Sequence, residues 1–387
     1  MPVKNRIADM LPEITKWRRD FHQHPELQYD LPRTSGRVAE LLREFGCDEV
    51  ITGIGQSGVV GIIRGRSTDS GRVIGLRADM DALPLTEITG LDYASKTPGK
   101  MHACGHDGHT SMLLGAAKYL AETRNFNGTA VMIFQPAEEG GAGAKAMLDD
   151  GLADRWDIDE FYGMHNMPGM PVGSFAIRSG AMMAAADQVI IKVTGRGGHG
   201  AQPHETIDPM LTAAHIITAL QSIVSRNVDP LKSGVISATM VRSDAGAHNV
   251  IPQVVEIEGT VRSLDPEIRD LLEAGIKRVA THVAAGFGAT AEVDYQRGYP
   301  VTINHAEATE HAAAAARSIA GDIITDIEPE MGAEDFSYML ESRPGAYIWL
   351  GNGDTAGLHH PAYNFDDEAI PAGSSWYATM IEQRMPA

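Results

Sequence analysis

The sequence predicts an α/β protein in which a mixed, mainly parallel sheet carries helices on both faces and a smaller α+β domain is inserted. Three observations lead to this fold class. Helical segments alternate with short β-branched strands in the first half, which is typical of a parallel sheet covered by helices. Residues 185–296 follow the βαββαβ order of a ferredoxin-like domain. At 387 residues, the chain is also too long for one ordinary core.

The elements of the first domain begin with two amphipathic helices. Residues 7–21 and 34–45 carry apolar side chains at helical spacing, and Pro25 and Gly46 end these segments. The other elements predicted for this domain are strands at 59–63, 73–76, 129–134 and 346–350 and helices at 110–120 and 306–319.

The boundary of the inserted domain lies within residues 179–186, where the sequence consists of small, plain residues. The predicted elements that follow are strands at 188–194, 235–241, 254–261 and 291–295 and helices at 208–224 and 266–284. We therefore place the inserted domain at residues 185–296 and a discontinuous first domain at 1–184 and 297–387.

Composition restricts the classes of partner. The chain has 32 basic and 51 acidic residues, which gives a formal net charge of -19. This charge repels nucleic acid and anionic membrane surfaces, so we expect a small-molecule partner.

Only Cys47 and Cys104 occur, and two distant cysteines in a long chain favour a reduced intracellular protein over a disulfide scaffold. The N-terminal segment has no apolar signal region, and no apolar run approaches the ~18 to 20 residues that span a bilayer. We expect a soluble cytoplasmic protein.

The segment 101–109, MHACGHDGH, is the strongest indication of a functional site because it concentrates metal-binding side chains. In an extended chain, His102, Cys104 and His106 would share one face, with neighbouring Cα atoms about 6.6 Å apart. This spacing suits one metal ion or a close pair. Taken alone, the pattern also fits a buried cysteine among surface histidines.

Other segments place acids and histidines after predicted strands. Asp79 and Asp81 follow the strand at 73–76. The adjacent Glu138 and Glu139 could have different roles, one in metal binding and the other in proton transfer, or they could form a solvated acidic turn. A mixed thiolate, imidazole and carboxylate set favours Zn²⁺, Mn²⁺ or Co²⁺ over Mg²⁺ or Ca²⁺. The further segments of this kind are 164–166, 332–336 and 358–361.

Across nearly its whole length, the chain resembles the metal-dependent amidohydrolases that include hippurate hydrolase, bacterial N-acyl-amino-acid amidohydrolases, N-acetyl-diaminopimelate deacetylase and plant indole-acetyl-amino-acid hydrolases. The motifs occur in order and are jointly specific. They are residues 18–26, 77–84, 102–110, 135–140, 164–168, 195–203, 249–252, 332–336 and 359–362.

The resemblance implies a binuclear site for two divalent ions, Zn²⁺ or Mn²⁺, with Co²⁺ and Ni²⁺ as alternatives. His359 is preferred over His360 because family members share the histidine two positions before the proline, here Pro361. The implied metal ligands are Cys104, His106, Glu139, His165 and His359.

The resemblance also implies catalytic groups. Glu138 would be the general base, and His199 of the inserted domain would stabilise the oxyanion in the active site of a partner subunit. Asn249 would contact the substrate carboxylate or the transition state, and Asp79 and Asp81 would either orient the site or be purely structural. The inserted domain would then serve as a lid and as the interface of a homodimer.

The activity that the resemblance implies is hydrolysis of an N-acyl amino acid to a carboxylate and a free amino acid. Dipeptidase or carboxypeptidase action on the same fold is the first alternative, and a non-catalytic metal-binding or ligand-binding homologue is the second. A cysteine protease using Cys104 would leave the surplus of histidines and carboxylates unexplained.

Overall fold

The computed structural model describes residues 3–387. Its residues form two compact units. The first extends to Gly180 and resumes at Ile303–Glu328 and Asp335–Ala387, and the second comprises Ala181–Thr302 and Pro329–Glu334. The short stretch Pro329–Glu334, which we assigned to the first domain from sequence, therefore groups with the second unit.

The helices are α1 (Asn5–Gln23), α2 (Pro32–Glu44), α3 (His106–Thr123), α4 (Gly143–Asp149), α5 (Leu152–Arg155), α6 (Pro209–Arg226), α7 (Pro266–Gly286), α8 (Ala306–Ala320), α9 (Ser337–Ser342) and α10 (Ile370–Arg384). The strands are β1 (Glu49–Ile54), β2 (Gly58–Arg64), β3 (Val73–Asp79), β4 (Thr129–Gln135), β5 (Glu160–Met167), β6 (Phe175–Ala176), β7 (Gly180–Met183), β8 (Ala185–Thr194), β9 (Gly198–His199), β10 (Gly234–Ser243), β11 (Val250–Ile251), β12 (Val254–Ser263), β13 (Thr290–Arg297), β14 (Thr302–Asn304) and β15 (Gly345–Gly351). No helix among residues 3–387 has the length and apolar character needed to cross a bilayer.

The first unit contains a seven-stranded sheet in the order β1-β2-β4-β3-β5-β15-β6. The four central strands β4, β3, β5 and β15 are parallel to one another, and the flanking pairings are antiparallel. This mixed sheet with a parallel centre confirms the predicted fold class. Parallel strands are buried on both faces, and every residue of β15 is buried.

Side chains of β4 show why both faces need helices. Ala130, Met132 and Phe134 belong to a core cluster that also contains residues of α1, α2, α3, α8 and α10. On the other face, the buried Asp335 carboxylate accepts hydrogen bonds from Arg77 of β3 at 3.0 Å and from the backbone N–H of Ala144 in α4 at 2.9 Å. Asp335, a candidate acid from sequence, thus anchors α4 to the sheet.

The second unit has a four-stranded antiparallel sheet in the order β10-β12-β8-β13, with α6 and α7 contributing to one hydrophobic core. Its order along the chain, β8-α6-β10-β12-α7-β13, is the βαββαβ order that the sequence predicts. A small pair, β9 with β11, is an additional feature that the periodicity did not reveal.

Two local predictions near the site were wrong. Helix α3 begins at His106 rather than at residue 110, so His106 does not continue an extended segment with Cys104. The helix starts early because Gly105, at a φ of 92°, takes the left-handed conformation of a turn. His165 and Asn166 lie inside β5 rather than in a loop after it.

Candidate metal centre

The site lies where the parallel strands of the first unit end. Strands β3, β4, β5 and β15 run in the same direction, so their carboxyl ends lie at one edge of the sheet. Asp79 is the last residue of β3, and Gln135 is the last residue of β4, three positions before Glu138. His165 lies near the end of β5. The sheet thereby brings together segments that are distant in sequence.

All five ligands expected from sequence converge in this unit. Potential ligand atoms of Cys104, His106 and His165 lie within 4.8 Å of one another, as do those of Cys104, Glu139 and His359. The Cys104 thiol belongs to both groups, and its Sγ lies 3.3 Å from His165 Nε2. A third group with the same limit joins His106 to Glu138 and Glu139.

The geometry favours His359 over His360 as the ligand. His359 Nε2 lies 3.1 Å from Glu139 Oε1. His359 adopts a left-handed φ of 63°, and its backbone N–H donates to the Ala103 carbonyl at 2.8 Å, which joins its loop to the cysteine segment. His360 is exposed, and its Nδ1 accepts from the backbone N–H of Ala362.

Hydrogen bonds orient two of the histidines as metal sites require. His165 Nδ1 donates to the Asn166 carbonyl at 2.6 Å, so Nε2 is the nitrogen that faces Cys104. His106 Nδ1 donates to the Asp81 carbonyl at 2.8 Å, and its buried Nε2 has no hydrogen-bond partner among the described residues. A carbonyl acceptor on one ring nitrogen is the usual arrangement that fixes a ligating imidazole.

Asp79 and Asp81 both act on the site through hydrogen bonds. The Asp81 carboxylate accepts from the backbone N–H groups of Glu138, at 3.0 Å, and Glu139, at 3.2 Å, and so fixes the turn that carries both glutamates. Asp79 accepts from Arg77 at 2.8 Å and from His109 Nδ1 at 2.7 Å. Burial alone would raise the pKa of Asp79. The positive charges of the neighbouring His106, Arg77 and His109 outweigh burial and hold this pKa well below its usual value.

A buried network behind Cys104 was not foreseen. Asn166 Nδ2 donates to the Cys104 carbonyl at 2.6 Å, and the hydroxyl of Tyr363 donates to Asn166 Oδ1 at 2.6 Å. The backbone N–H of Asn166 donates to His109 Nε2 at 2.9 Å, so His109 must donate through Nδ1 to Asp79. Nothing in the sequence distinguishes Tyr363 from a core tyrosine.

The histidines that we left outside the ligand set are buried nearby or solvent-facing. His102 is buried, and burial lowers its pKa to about 3, so the ring is neutral. Burial also lowers the pKa of His22, but Asp107 and Glu87 outweigh it and raise the value to about 9. The His24 ring bonds only locally, to the carbonyl of Asp20.

His199 and Asn249 lie next to each other in the second unit. His199 belongs to β9 and pairs with Val250 of β11, and the Asn249 carbonyl accepts from the backbone N–H of Gly200 at 2.8 Å. Both residues are exposed, and His199 Nδ1 accepts from the backbone N–H of Ala201. The structure therefore presents them together on one surface of this unit.

The donor set suits a borderline-soft divalent cation. One thiol, three imidazoles and a carboxylate with a second carboxylate beside them are typical of catalytic zinc, manganese or cobalt sites. The buried Nε2 of His106, which has no hydrogen-bond partner among residues 3–387, is a further donor atom available to a cation.

Together, the α/β sheet and the donor cluster at its carboxyl edge define a hydrolase of the metallopeptidase class. A model of the peptidase family M20/M25/M40 matches residues 75–383. The chain belongs to this family, and it is an amidohydrolase.

The similar proteins cover almost the whole chain. Hippurate hydrolase of Campylobacter jejuni is 44% identical, with 97% of each chain covered, and thermostable carboxypeptidase 1 of Saccharolobus solfataricus is 39% identical, with 98% of this chain and 97% of the relative covered. A solved structure of the Bacillus subtilis YXEP protein, described as a dinuclear metal binding peptidase from the M20 family, superimposes with a TM-score of 0.86 at 35% identity, with coverage of 98% of this chain and 99% of the other.

The conformation of Gly105 generates a prediction about the site. A Cβ at this position would lie 2.2 Å from Asn166 Nδ2 and 2.6 Å from the Tyr363 hydroxyl, at a φ that disfavours side chains. We expect Gly105→Ala to lower metal affinity by at least tenfold, the order of effect seen when groups behind metal ligands are disturbed. Gly99→Ala, also at positive φ but with open space around its Cβ, is the matched control. Equal affinities of both variants for Zn²⁺ in isothermal titration would refute this expectation.

Protonation of the ligands generates a pH prediction. Hydrogen bonds to Cys104 and Glu139 raise the pKa of His359 to about 10, and burial raises the pKa of the Cys104 thiol. In the metal-free protein, His359 and the Cys104 thiol are therefore protonated at neutral pH, and a binding cation must displace these protons. We expect apparent metal affinity to rise with pH by about tenfold per unit for each proton displaced. A competition assay with a chelator across about pH 6 to 8 measures this slope, and a flat profile would contradict it.

Proposed function

We propose that this amidohydrolase uses a metal-activated water to hydrolyse the amide bond of N-acyl amino acids, releasing a carboxylate and a free amino acid. The observation that carries this proposal is the convergence of four donor side chains on Cys104, with Glu138 beside them. An amide is a poor electrophile, so the site must both activate water and stabilise charge on the carbonyl oxygen.

The residues that would hold two divalent ions are Cys104, His106, Glu139, His165 and His359, with Cys104 binding as a thiolate. The Cys104 thiol supports this role because it is shared by both ligand groups. Zn²⁺ and Mn²⁺ are the ions we favour. When bound, such ions lower the pKa of water toward neutrality and polarise a carbonyl group.

Glu138 is the proposed general base. The residue is buried, with 7% of its surface exposed, and its backbone N–H donates to Asp81 at 3.0 Å, which fixes its position. Successive side chains diverge, which allows Glu139 to bind metal while Glu138 faces the water. Glu138 would accept a proton from that water and return it to the leaving amine.

N-acyl amino acids are the proposed substrates because the hippurate hydrolase relative is 44% identical over 97% of the chain. Hippurate is N-benzoylglycine, the simplest substrate of this class with an aromatic acyl group. Carboxypeptidase action is the second candidate, since a relative named carboxypeptidase is 39% identical over a similar span. Both activities break the amide bond of an amino acid that has a free carboxylate. They differ in the acyl group, which is a simple acid in an N-acyl amino acid and an amino acid or peptide in a carboxypeptidase substrate.

The second unit is the proposed lid and dimerisation domain. Strand β10 lies at the edge of its sheet with Met240 and Val241 40% and 45% exposed, and Leu211 of α6 is 50% exposed. Exposed apolar side chains on an unpaired strand edge favour association with a second copy. In such a homodimer, His199 would stabilise the oxyanion of the partner subunit, and Asn249 would contact the substrate.

The general-base role predicts a separation of metal binding from turnover. We expect Glu138→Gln to retain bound metal while kcat falls by about 10² to 10⁴, the range for a positioned acid–base group. Glu44→Gln, on the exposed surface of α2, is the control and should leave both properties unchanged. Metal content by mass spectrometry and kcat at saturating substrate are the measurements. Full activity of Glu138→Gln would eliminate this assignment.

The substrate class is tested with hippurate, N-acetyl-methionine, N-acetyl-diaminopimelate and a dipeptide. We expect chelator-treated protein to be inactive and added Zn²⁺ or Mn²⁺ to restore hydrolysis of at least one acyl amino acid. Cleavage of the dipeptide alone would favour the carboxypeptidase alternative. Failure to cleave any substrate despite bound metal would favour a non-catalytic binding protein.

The dimer proposal predicts that two weak subunits can complement each other. We expect His199→Ala to lower kcat by about 10²-fold, as loss of one oxyanion donor does. Mixing the two weakly active variants His199→Ala and Glu138→Gln should then regain part of the activity, because one site of the mixed dimer has both groups. His204→Ala, an exposed histidine on the same unit, is the control. A sedimenting monomer with full activity would contradict the proposal.

A further inference from the structure

Helices α1 and α3 are joined by three sets of polar contacts. Arg6 pairs with Glu122 at 2.7 Å at one end, and Glu13 pairs with Lys118 at 2.6 Å. At the opposite end, Arg18 and His22 of α1 face Asp107 in the first turn of α3. The order of these contacts shows that the two helices run antiparallel.

Burial distinguishes the last set from the other two. The side chains of Arg6 and Glu122 are 48% and 35% exposed, whereas those of Arg18, His22 and Asp107 are fully buried. Exposed pairs contribute little to stability, and buried pairs lose about as much in desolvation as they gain. Helix docking alone therefore does not account for buried charges at this end, where apolar side chains would serve as well.

The buried set lies directly behind the metal ligands. Asp107 follows His106, and its Oδ2 lies 2.8 Å from His22 Nδ1 and 3.5 Å from Arg18 Nη1. These two partners are themselves fixed, because Arg18 Nε donates to Asp367 at 2.7 Å and His22 Nε2 lies 3.4 Å from Glu87. The first turn of α3 is thus held against a rigid polar framework.

The same pocket contains buried polar atoms without hydrogen-bond partners among residues 3–387. They are Nη1 and Nη2 of Arg18, Oδ1 of Asp107 and both ring nitrogens of His102. The rings of His22 and His102 have centroids 6.3 Å apart. Buried polar atoms in proteins normally have hydrogen-bond partners, so this concentration distinguishes the region behind the metal ligands from an apolar core.

We propose that Arg18 and His22 are positioning residues for the metal centre, which they serve by holding Asp107 and therefore the turn that presents His106. This inference rests on the proposed metal-binding function, and the test is designed so that the two can fail separately.

The test measures the affinity of metal-depleted protein for Zn²⁺ alone, by competition with a chromophoric chelator. His22→Gln is the first variant because Arg18 remains opposite Asp107 and limits the loss of stability. We expect its affinity to fall by about 10- to 100-fold, the range for groups that orient metal ligands. Glu122→Gln, which removes an exposed contact between the same helices, should stay within twofold.

A second variant separates positioning from folding. The double variant His22→Gln/Asp107→Asn removes a positive and a negative partner together. The melting temperature of the metal-depleted variant should therefore be close to that of the unchanged protein. Its Zn²⁺ affinity should remain low, and its Co²⁺ form should have an altered visible spectrum because the ligand geometry differs. A merely structural role would change the melting temperature without changing the spectrum of the loaded protein.

One outcome would overturn the positioning role, and another would overturn the proposed metal-binding function. If both variants bind Zn²⁺ within twofold of the unchanged protein and give the same Co²⁺ spectrum, the positioning role is wrong. Cys104→Ala serves as the reference for the metal centre itself. Should that variant also bind Zn²⁺ normally, the proposed metal centre fails, whatever the behaviour of His22.

Discussion

Parallel pairing of β3 with β4 and β5, and of β5 with β15, is the constraint on which the site depends. It brings four carboxyl ends to one edge of the sheet, where carboxylates would repel one another and lose hydration unless they were compensated. The compensation is visible at Asp79, which bonds to Arg77 and His109, and at Asp81, which accepts two backbone N–H groups. These buried acids hold the neighbouring ligands and replace their own lost hydration with fixed hydrogen bonds.

The sequence was informative where chemistry is concentrated in a short segment. The MHACGHDGH segment and the Glu138-Glu139 pair are conspicuous because such side chains have no role in an ordinary core. Likewise, the alternation of helix and strand periodicity predicted the sheet and the βαββαβ unit, since burial imposes those periods directly. The convergence of His165 and His359 on Cys104 came from resemblance, because spacing alone cannot bring together residues so far apart in sequence.

Features that depend on tertiary contact were not predictable in this way. The helix start at His106 requires the left-handed Gly105, where Asn166 and Tyr363 lie so close that they leave no room for a Cβ. The contact between His22 and Asp107 was likewise not predictable, because the two residues are 85 positions apart in the chain. Short helices such as α4 and α9 lack enough turns for an apolar period to emerge.

The most direct test of this account is X-ray absorption spectroscopy of the Zn²⁺-loaded protein, with Cys104→Ala as the comparison. We expect a sulfur ligand at about 2.3 Å together with nitrogen or oxygen ligands at about 2.0 to 2.2 Å, and loss of the sulfur signal in the variant. A coordination shell of nitrogen and oxygen alone in the unchanged protein would contradict the central claim that the Cys104 thiolate joins the two ligand groups.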